Sequence, residues 1–234
     1  MSSAQLHLRT YGYLKRQAVV SRERCAELTQ ELKSHCAPDA DLSKGSLRLE
    51  EPAEAAIASV LQESALRALI AQLLGPDWLL VVNRHNHVVI DQGRGSRATR
   101  MHRDLLHWSR NPITVLVMLD CGEDDPVAWP SLIPGSQLWP TAEQRNGGGY
   151  WLDETDEAES LQQAVKVPMC PGDVLVMDGM TFHAAGAGSE QHSRVMMSLC
   201  LRTPDELTGE VGPNERLIAG SVRYEGQARW RAHG

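Results

Sequence analysis

Phenylalanine is almost missing from this chain: there is one, against six tryptophans and four tyrosines. Nearly every aromatic ring therefore carries a polar handle, which suits the wall of a polar pocket as well as a packed core. Paired cysteines are missing too. Cys25, Cys36, Cys121, Cys170 and Cys200 are odd in number, widely spaced and without a C-x-x-C motif. That excludes a disulfide framework and a thiolate zinc site and predicts reduced thiols. No apolar run approaches the roughly 18 residues of a membrane span; the longest are Leu79 to Val82 and Ile113 to Leu119. The opening MSSAQLHLRTYGYLKRQ has neither an apolar core nor a small-residue cleavage site, so no secretory signal is visible. Nor is there a basic surplus. With 30 acidic against 23 basic residues and a formal charge of -7, the chain lacks the cationic excess by which nucleic-acid binders displace counterions. These absences predict a soluble, cytoplasmic protein with no nucleic-acid or membrane partner, and they leave its oligomeric state open.

What is present fits one domain: 234 residues, 42% of them apolar, are enough for a single ordinary core. Residues 1–76 read as a strand and helices. Ser21 is a helix N-cap before RERCAELTQELKSH, and a second helical stretch runs from Pro52 to Leu73 and Gly75-Pro76. From residue 77 to 203 the texture is short β-branched runs broken by Gly, Pro, Asn and Asp, which predicts a mainly β jelly roll (a double-stranded β-helix, cupin-like) with the helices packed on one sheet. Residues 139–160, rich in Gly, Glu and Asp, read as an insertion or lid, and residues 204–234 as a polar tail.

Chemistry concentrates in a few places. His102-Arg103-Asp104 lies in an expected strand, where residues two apart face the same way. From the composition, about half of one H-x-D triplet is expected by chance, so the triplet alone carries little. Downstream, Pro171-Gly172-Asp173 leads into the strand VLVMDG and delivers Phe182-His183, and Arg194 follows His183 by eleven residues. Two neutral imidazoles and one carboxylate are the donors of a non-heme Fe(II) site that leaves positions open for substrates and oxygen. A planar guanidinium nearby can clamp a carboxylate through two parallel hydrogen bonds.

The order His-x-Asp, IPGSQ, PGD leading to a strand and His, then Arg eleven residues on, resembles the phytanoyl-CoA dioxygenase family of Fe(II)- and 2-oxoglutarate-dependent oxygenases. Tyr11-Gly12-Tyr13-Leu14 with the helix after it is similar to that family's opening, so the resemblance spans about residues 8 to 203. It implies that His102, Asp104 and His183 bind iron and that Arg194 pairs with the distal carboxylate of 2-oxoglutarate. It further implies that this cosubstrate and O2 become succinate and CO2 as a C–H bond is oxidised. Halogenating members replace the carboxylate with a small residue, so Asp104 favours hydroxylation. The family often has a hydroxyl residue two positions after the distal histidine; here that position is Ala185. Thr99, Thr114 and Asn83 are the candidates for further cosubstrate contacts.

Substrate contacts are sought in the same stretch. Between Arg84 and Arg110 stand six arginines, no lysine, and only Asp91 and Asp104 as acids, a local excess that would attract a small carboxylate or phosphate ester. Arg100 and Arg103 are candidate contacts. His85 and His87 share a strand face with Asn83 by alternation, and Trp108 and Trp129 are candidates for the pocket mouth. Two other readings use the same fold: a cupin-like metal dioxygenase or isomerase without 2-oxoglutarate, and a catalytically silent binding module.

Overall fold

The computed structural model describes residues 1–36, 46–49 (backbone), 51–82, 86–91, 100–105, 112–122, 125–139, 152, 159–187, 193–204 and 211–221. Its first element has a sequence signal of its own, an S-x-x-Q capping box. The Ser2 hydroxyl accepts from the Gln5 amide while the Gln5 side chain accepts from the Ser2 amide, which starts helix α1 (Ser3–Tyr11). Gly12, at φ 78°, ends it by donating its N–H to the Leu8 carbonyl. Strand β1 (Tyr13–Arg16) follows, and then α2 (Arg22–Ser34), capped by Ser21 as its sequence predicts.

The second helical stretch is two helices, not one: α3 (Glu51–Val60) and α4 (Ser64–Leu74), bent by 80° at the break. The reason lies in the apolar spacing. Nine residues separate Ile57 from Leu66, about two and a half helical turns, so one straight helix would point the two in opposite directions. Bending at Gln62-Glu63 lets Ala53, Ile57, Val60 and Leu61 enter the same core as Leu66, Leu69, Ile70 and Leu73. Among the described residues no single helix is long and apolar enough to cross a membrane.

The strands form two sheets, as the jelly-roll reading requires. In chain order they are β2 (Ser46–Leu49), β3 (Trp78–Val81), β4 (His87–Asp91), β5 (Ile113–Asp120), β6 (Ser131–Leu132), β7 (Val165–Lys166), β8 (Val174–Asp178), β9 (His183–Ala184), β10 (Arg194–Arg202) and β11 (Glu215–Ala219). In the large antiparallel sheet β1, β8, β5 and β10 lie side by side. Beyond β10, its first half pairs with β4 and its end with β3, and β2 and β11 flank those two. The small sheet is β7-β6-β9. The tail thus contributes an edge strand, β11, to the main sheet and is not wholly an appendage.

Both faces of the large sheet are covered, which is why β5 reads ITVLVMLD without polar alternation. Val115, Val117 and Leu119 pack with Val174, Val176, Met197 and Leu199 against the four helices. Leu116 and Met118 pack with Leu175, Met177 and Met196 toward the small sheet, closing on Leu132, Val167 and Met169. Trp129, a candidate for the pocket mouth, is partly buried and packs against this second cluster.

The PGD motif turns out to hold the N-terminal strand. Asp173 accepts from the Ala18 and Cys170 amides and pairs with Lys15 at 2.9 Å, while the Gly172 carbonyl accepts from the amides of Val19 and Val20. Gly172 sits at φ +94°, and a Cβ there would overlap the Val20 carbonyl oxygen. Gly172→Ala is therefore expected to cost about 2–5 kcal/mol, from left-handed strain plus overpacking. Thermal unfolding would show it as a drop of several degrees or more.

Candidate metal centre

His102 and His183 meet because the backbone forces them to. The segment from Arg100 to Leu105 is not the strand its sequence predicts. It makes one isolated antiparallel bridge, in which the His102 amide donates to the His183 carbonyl at 2.9 Å and the His183 amide donates back at 2.8 Å. Directly opposed residues in such a bridge project to the same side, and the two rings lie 4.5 Å apart, centre to centre. Leu105 is tied to Gly179 by a further backbone bond. Asp104, two residues beyond His102, comes to the same side, so the alternation argument holds locally without a strand.

Each imidazole is oriented from behind. His102 Nδ1 lies 2.8 Å from the Arg100 carbonyl and His183 Nδ1 3.0 Å from the Thr181 carbonyl. A carbonyl only accepts, so the proton of each neutral ring sits on Nδ1 and the lone pair on Nε2. Both Nε2 atoms face Asp104 Oδ1, at 3.8 Å and 3.6 Å. All three ligand atoms fall within 4.8 Å of one another. Cis ligands on one ion with bonds of about 2.1 Å stand about 3 Å apart, so modest closure on an ion completes the set. Two imidazole nitrogens and a carboxylate oxygen match the donors of a non-heme Fe(II) centre, and their backs are held as metal-bound histidines are. The residues fit the metal.

Thr114 has a partner that its sequence did not indicate. It is the second residue of β5, buried, and its hydroxyl donates to Asp104 Oδ2. Asp104 itself is buried, at 3% exposure.

Arg194 opens β10 and is also buried. Its register partner across the ladder is Asp91, the last residue of β4, which has no solvent exposure. Arg194 Nη2 donates to Asp91 Oδ2, whereas Nε and Nη1 are buried and have no hydrogen-bond partner among the described residues. Burial pushes the guanidinium pKa down and Asp91 opposes that shift. One nitrogen of the planar guanidinium is thus held by an internal acid. Asp91 was legible only as one of two acids among six arginines, and both of those acids are buried.

Several sequence candidates lie elsewhere. Arg103 is buried, donates to the Ser136 and Trp139 carbonyls, and stacks 4.2 Å from the Phe182 ring centre. Burial lowers its pKa to about 10, with Asp178 opposing. Those contacts tie the metal-bearing segment to the IPGSQ turn, an internal role in place of an open substrate contact. Arg100 is exposed and donates to the Leu152 carbonyl, and the Leu152 amide donates to Met101. His87 begins β4 in register with Ser198, on the face of that strand shared with Asp91. Asn83, His85, Thr99 and Trp108 lie outside the described residues, as does most of the segment 139–160. Ala185 packs against the inter-sheet cluster.

Comparison with known proteins identifies the family. The family profile described as phytanoyl-CoA dioxygenase (PhyH) matches residues 8–196. No protein with a curated description matches the chain in sequence. Among solved structures, the fold is similar to the epimerase SnoN in complex with Fe3+, alpha ketoglutarate and nogalamycin RO (TM-score 0.69, 18% identity, 92% of this chain and 97% of that one). It is also similar to the non-heme alpha ketoglutarate dependent carbocyclase SnoK from nogalamycin biosynthesis (0.69, 16%, 94% and 97%). A third is HygX from Streptomyces hygroscopicus with nickel, 2-oxoglutarate and hygromycin B bound (0.63, 14%, 87% and 88%). Carried by a match over most of its length, the chain belongs to the phytanoyl-CoA dioxygenase family of non-heme Fe(II)- and 2-oxoglutarate-dependent oxygenases.

Proposed function

We propose that this protein oxidises a C–H bond of a small molecule, with Fe(II) held by His102, Asp104 and His183 and 2-oxoglutarate anchored by Arg194. The observation that carries the reading is the convergence of two Nδ1-pinned imidazoles on one oxygen of a buried carboxylate. When bound, iron and 2-oxoglutarate supply the oxidising chemistry, with succinate and CO2 as coproducts. The chain's own residues position. His102 and His183 present lone pairs fixed by their carbonyl partners, Asp104 brings the negative charge, and Arg194 offers its charge to a carboxylate while Asp91 holds Nη2. Arg194 distinguishes this reading from a cupin-like enzyme without the cosubstrate, because a buried guanidinium with two unpartnered donors is costly unless an anion completes it.

We assign hydroxylation of an anionic metabolite as the finer reading, supported by the carboxylate at position 104 and by Arg100 exposed beside His102. The likeness to an epimerase and a carbocyclase favours two further outcomes that begin at the same C–H bond, ring closure and inversion. Product mass separates the three: gain of one oxygen, loss of two hydrogens, or no change. The class itself is tested by adding Fe(II) and then 2-oxoglutarate anaerobically to metal-free protein. A weak visible charge-transfer band is the expected result. Iron binding without a band would favour the cosubstrate-free enzyme, and no iron binding would leave a silent fold.

A further inference from the structure

Asp104 has two oxygens, and the structure gives them different neighbours. Oδ1 faces the Nε2 atoms of both histidines, and Oδ2 accepts the hydroxyl of Thr114. We propose that Thr114 is a positioning residue that keeps Asp104 a one-oxygen ligand, and so keeps open the coordination position that O2 needs. The inference rests on the iron and 2-oxoglutarate reading above and adds a residue to it.

The argument is one of counting. A six-coordinate ion held by two histidines and one carboxylate oxygen has three positions left, two for a 2-oxo acid chelate and one for O2. A carboxylate that binds through both oxygens takes one of the three. The chelate then fills the rest. Carboxylates bind metals either way, so something must decide, and a hydroxyl donating to the outer oxygen does. It occupies the lone pair that would otherwise turn to the ion, and it lowers the donor strength of that oxygen.

Thr114 is well placed to hold this position. It lies on β5, the inner strand between β8 and β10, in register with Met177 and Cys200, and is 1% exposed. The β-branched side chain has few rotamers on such a strand, so the hydroxyl is held to its acceptor. Asp104, by contrast, sits on a segment with no ladder of its own and needs an external reference. A threonine here is also compatible with plain strand propensity, which predicts that valine would serve equally well. The two explanations therefore diverge on a single substitution.

The experiment compares wild type, Thr114→Val and Thr114→Ser, each loaded anaerobically with Fe(II) and 2-oxoglutarate and titrated with nitric oxide as an O2 analogue. The readouts are the visible chelate band and the paramagnetic resonance of the nitrosyl complex, with thermal unfolding as the control for folding. Thr114→Val should retain iron and the chelate band but bind nitric oxide at least about tenfold more weakly, the scale set by one lost hydrogen bond to a charged group. Thr114→Ser, which keeps the hydroxyl, should stay close to wild type. A wild-type band together with unchanged nitric oxide affinity in Thr114→Val overturns the positioning role alone. Loss of iron binding in Thr114→Val also overturns it, because the hydroxyl would then set affinity and not the mode of ligation. Absence of the band in wild type overturns the cosubstrate reading and this proposal with it.

Discussion

Asp104→Ala is expected to lower Fe(II) affinity by at least about a hundredfold, beyond what loss of an outer-shell partner costs a metal site, and to abolish 2-oxoglutarate-dependent turnover. Of the three ligands it is the one that brings charge. Two neutral imidazoles remain after the change, oriented as before by the Arg100 and Thr181 carbonyls, but with no anion to offset a dication in a site of low exposure. The fold should survive, because the bridge between His102 and His183 is made by backbone atoms and the histidine rings stay in place. Titration of metal-free protein with Fe(II) or Co(II) under argon, beside thermal unfolding, checks both halves. Retained tight binding in Asp104→Ala would show that the metal sits elsewhere.

Arg194→Ala is expected to damage the protein twice, and the two effects can be separated. The Asp91 carboxylate, with no solvent exposure, would lose its cation. Breaking one side of a buried pair costs about 3–5 kcal/mol, which for a chain of this size corresponds to a fall of roughly 6–20 °C in melting temperature. Independently, 2-oxoglutarate would lose two charge-assisted hydrogen bonds of about 1.5–3 kcal/mol each, and its affinity should fall a hundredfold or more, on the order of two to four powers of ten. Adding Asp91→Asn to Arg194→Ala removes the carboxylate that faced the guanidinium and should restore part of the melting temperature while leaving 2-oxoglutarate affinity low. Arg194→Lys should retain the pair with Asp91 and still bind the cosubstrate poorly, since an ammonium cannot replace a planar fork. Recovery of 2-oxoglutarate binding in the double variant would exclude Arg194 as the clamp.

The pair of Asp91 and Arg194 illustrates which parts of the molecule were legible in the chain. His102, Asp104, His183 and Arg194 were named through the family resemblance that their order carries, and the structure brings the first three together. Asp91 was not, because its role depends on β4 lying beside β10 in one register, and no local pattern states which strands are neighbours. Thr114 was named as a candidate cosubstrate contact, whereas its hydroxyl meets Asp104, ten residues away, with no local feature to link them. Arg103 was misjudged for the opposite reason. Its charge invited an open role, whereas the Phe182 ring and the carbonyls of Ser136 and Trp139, distant in sequence, receive it inside the fold. Helix α1 went unread, although Ser2 and Gln5, which need only each other, carry its signal. The bend between α3 and α4 was readable in principle from the phase of Ile57 and Leu66, once both are required to face one core.

The isolated bridge between His102 and His183 has a mechanical meaning for how the centre adapts. Two reciprocal backbone hydrogen bonds couple the histidines, so a shift of one carries the other along and their spacing is preserved. They act as one rigid jaw. Asp104 lies past the bridge, on chain anchored next by the Leu105 amide, and its outer oxygen is held separately by the Thr114 hydroxyl. The rings thus take their position from one backbone bridge and the carboxylate from β5, so the two halves of the centre answer to different anchors.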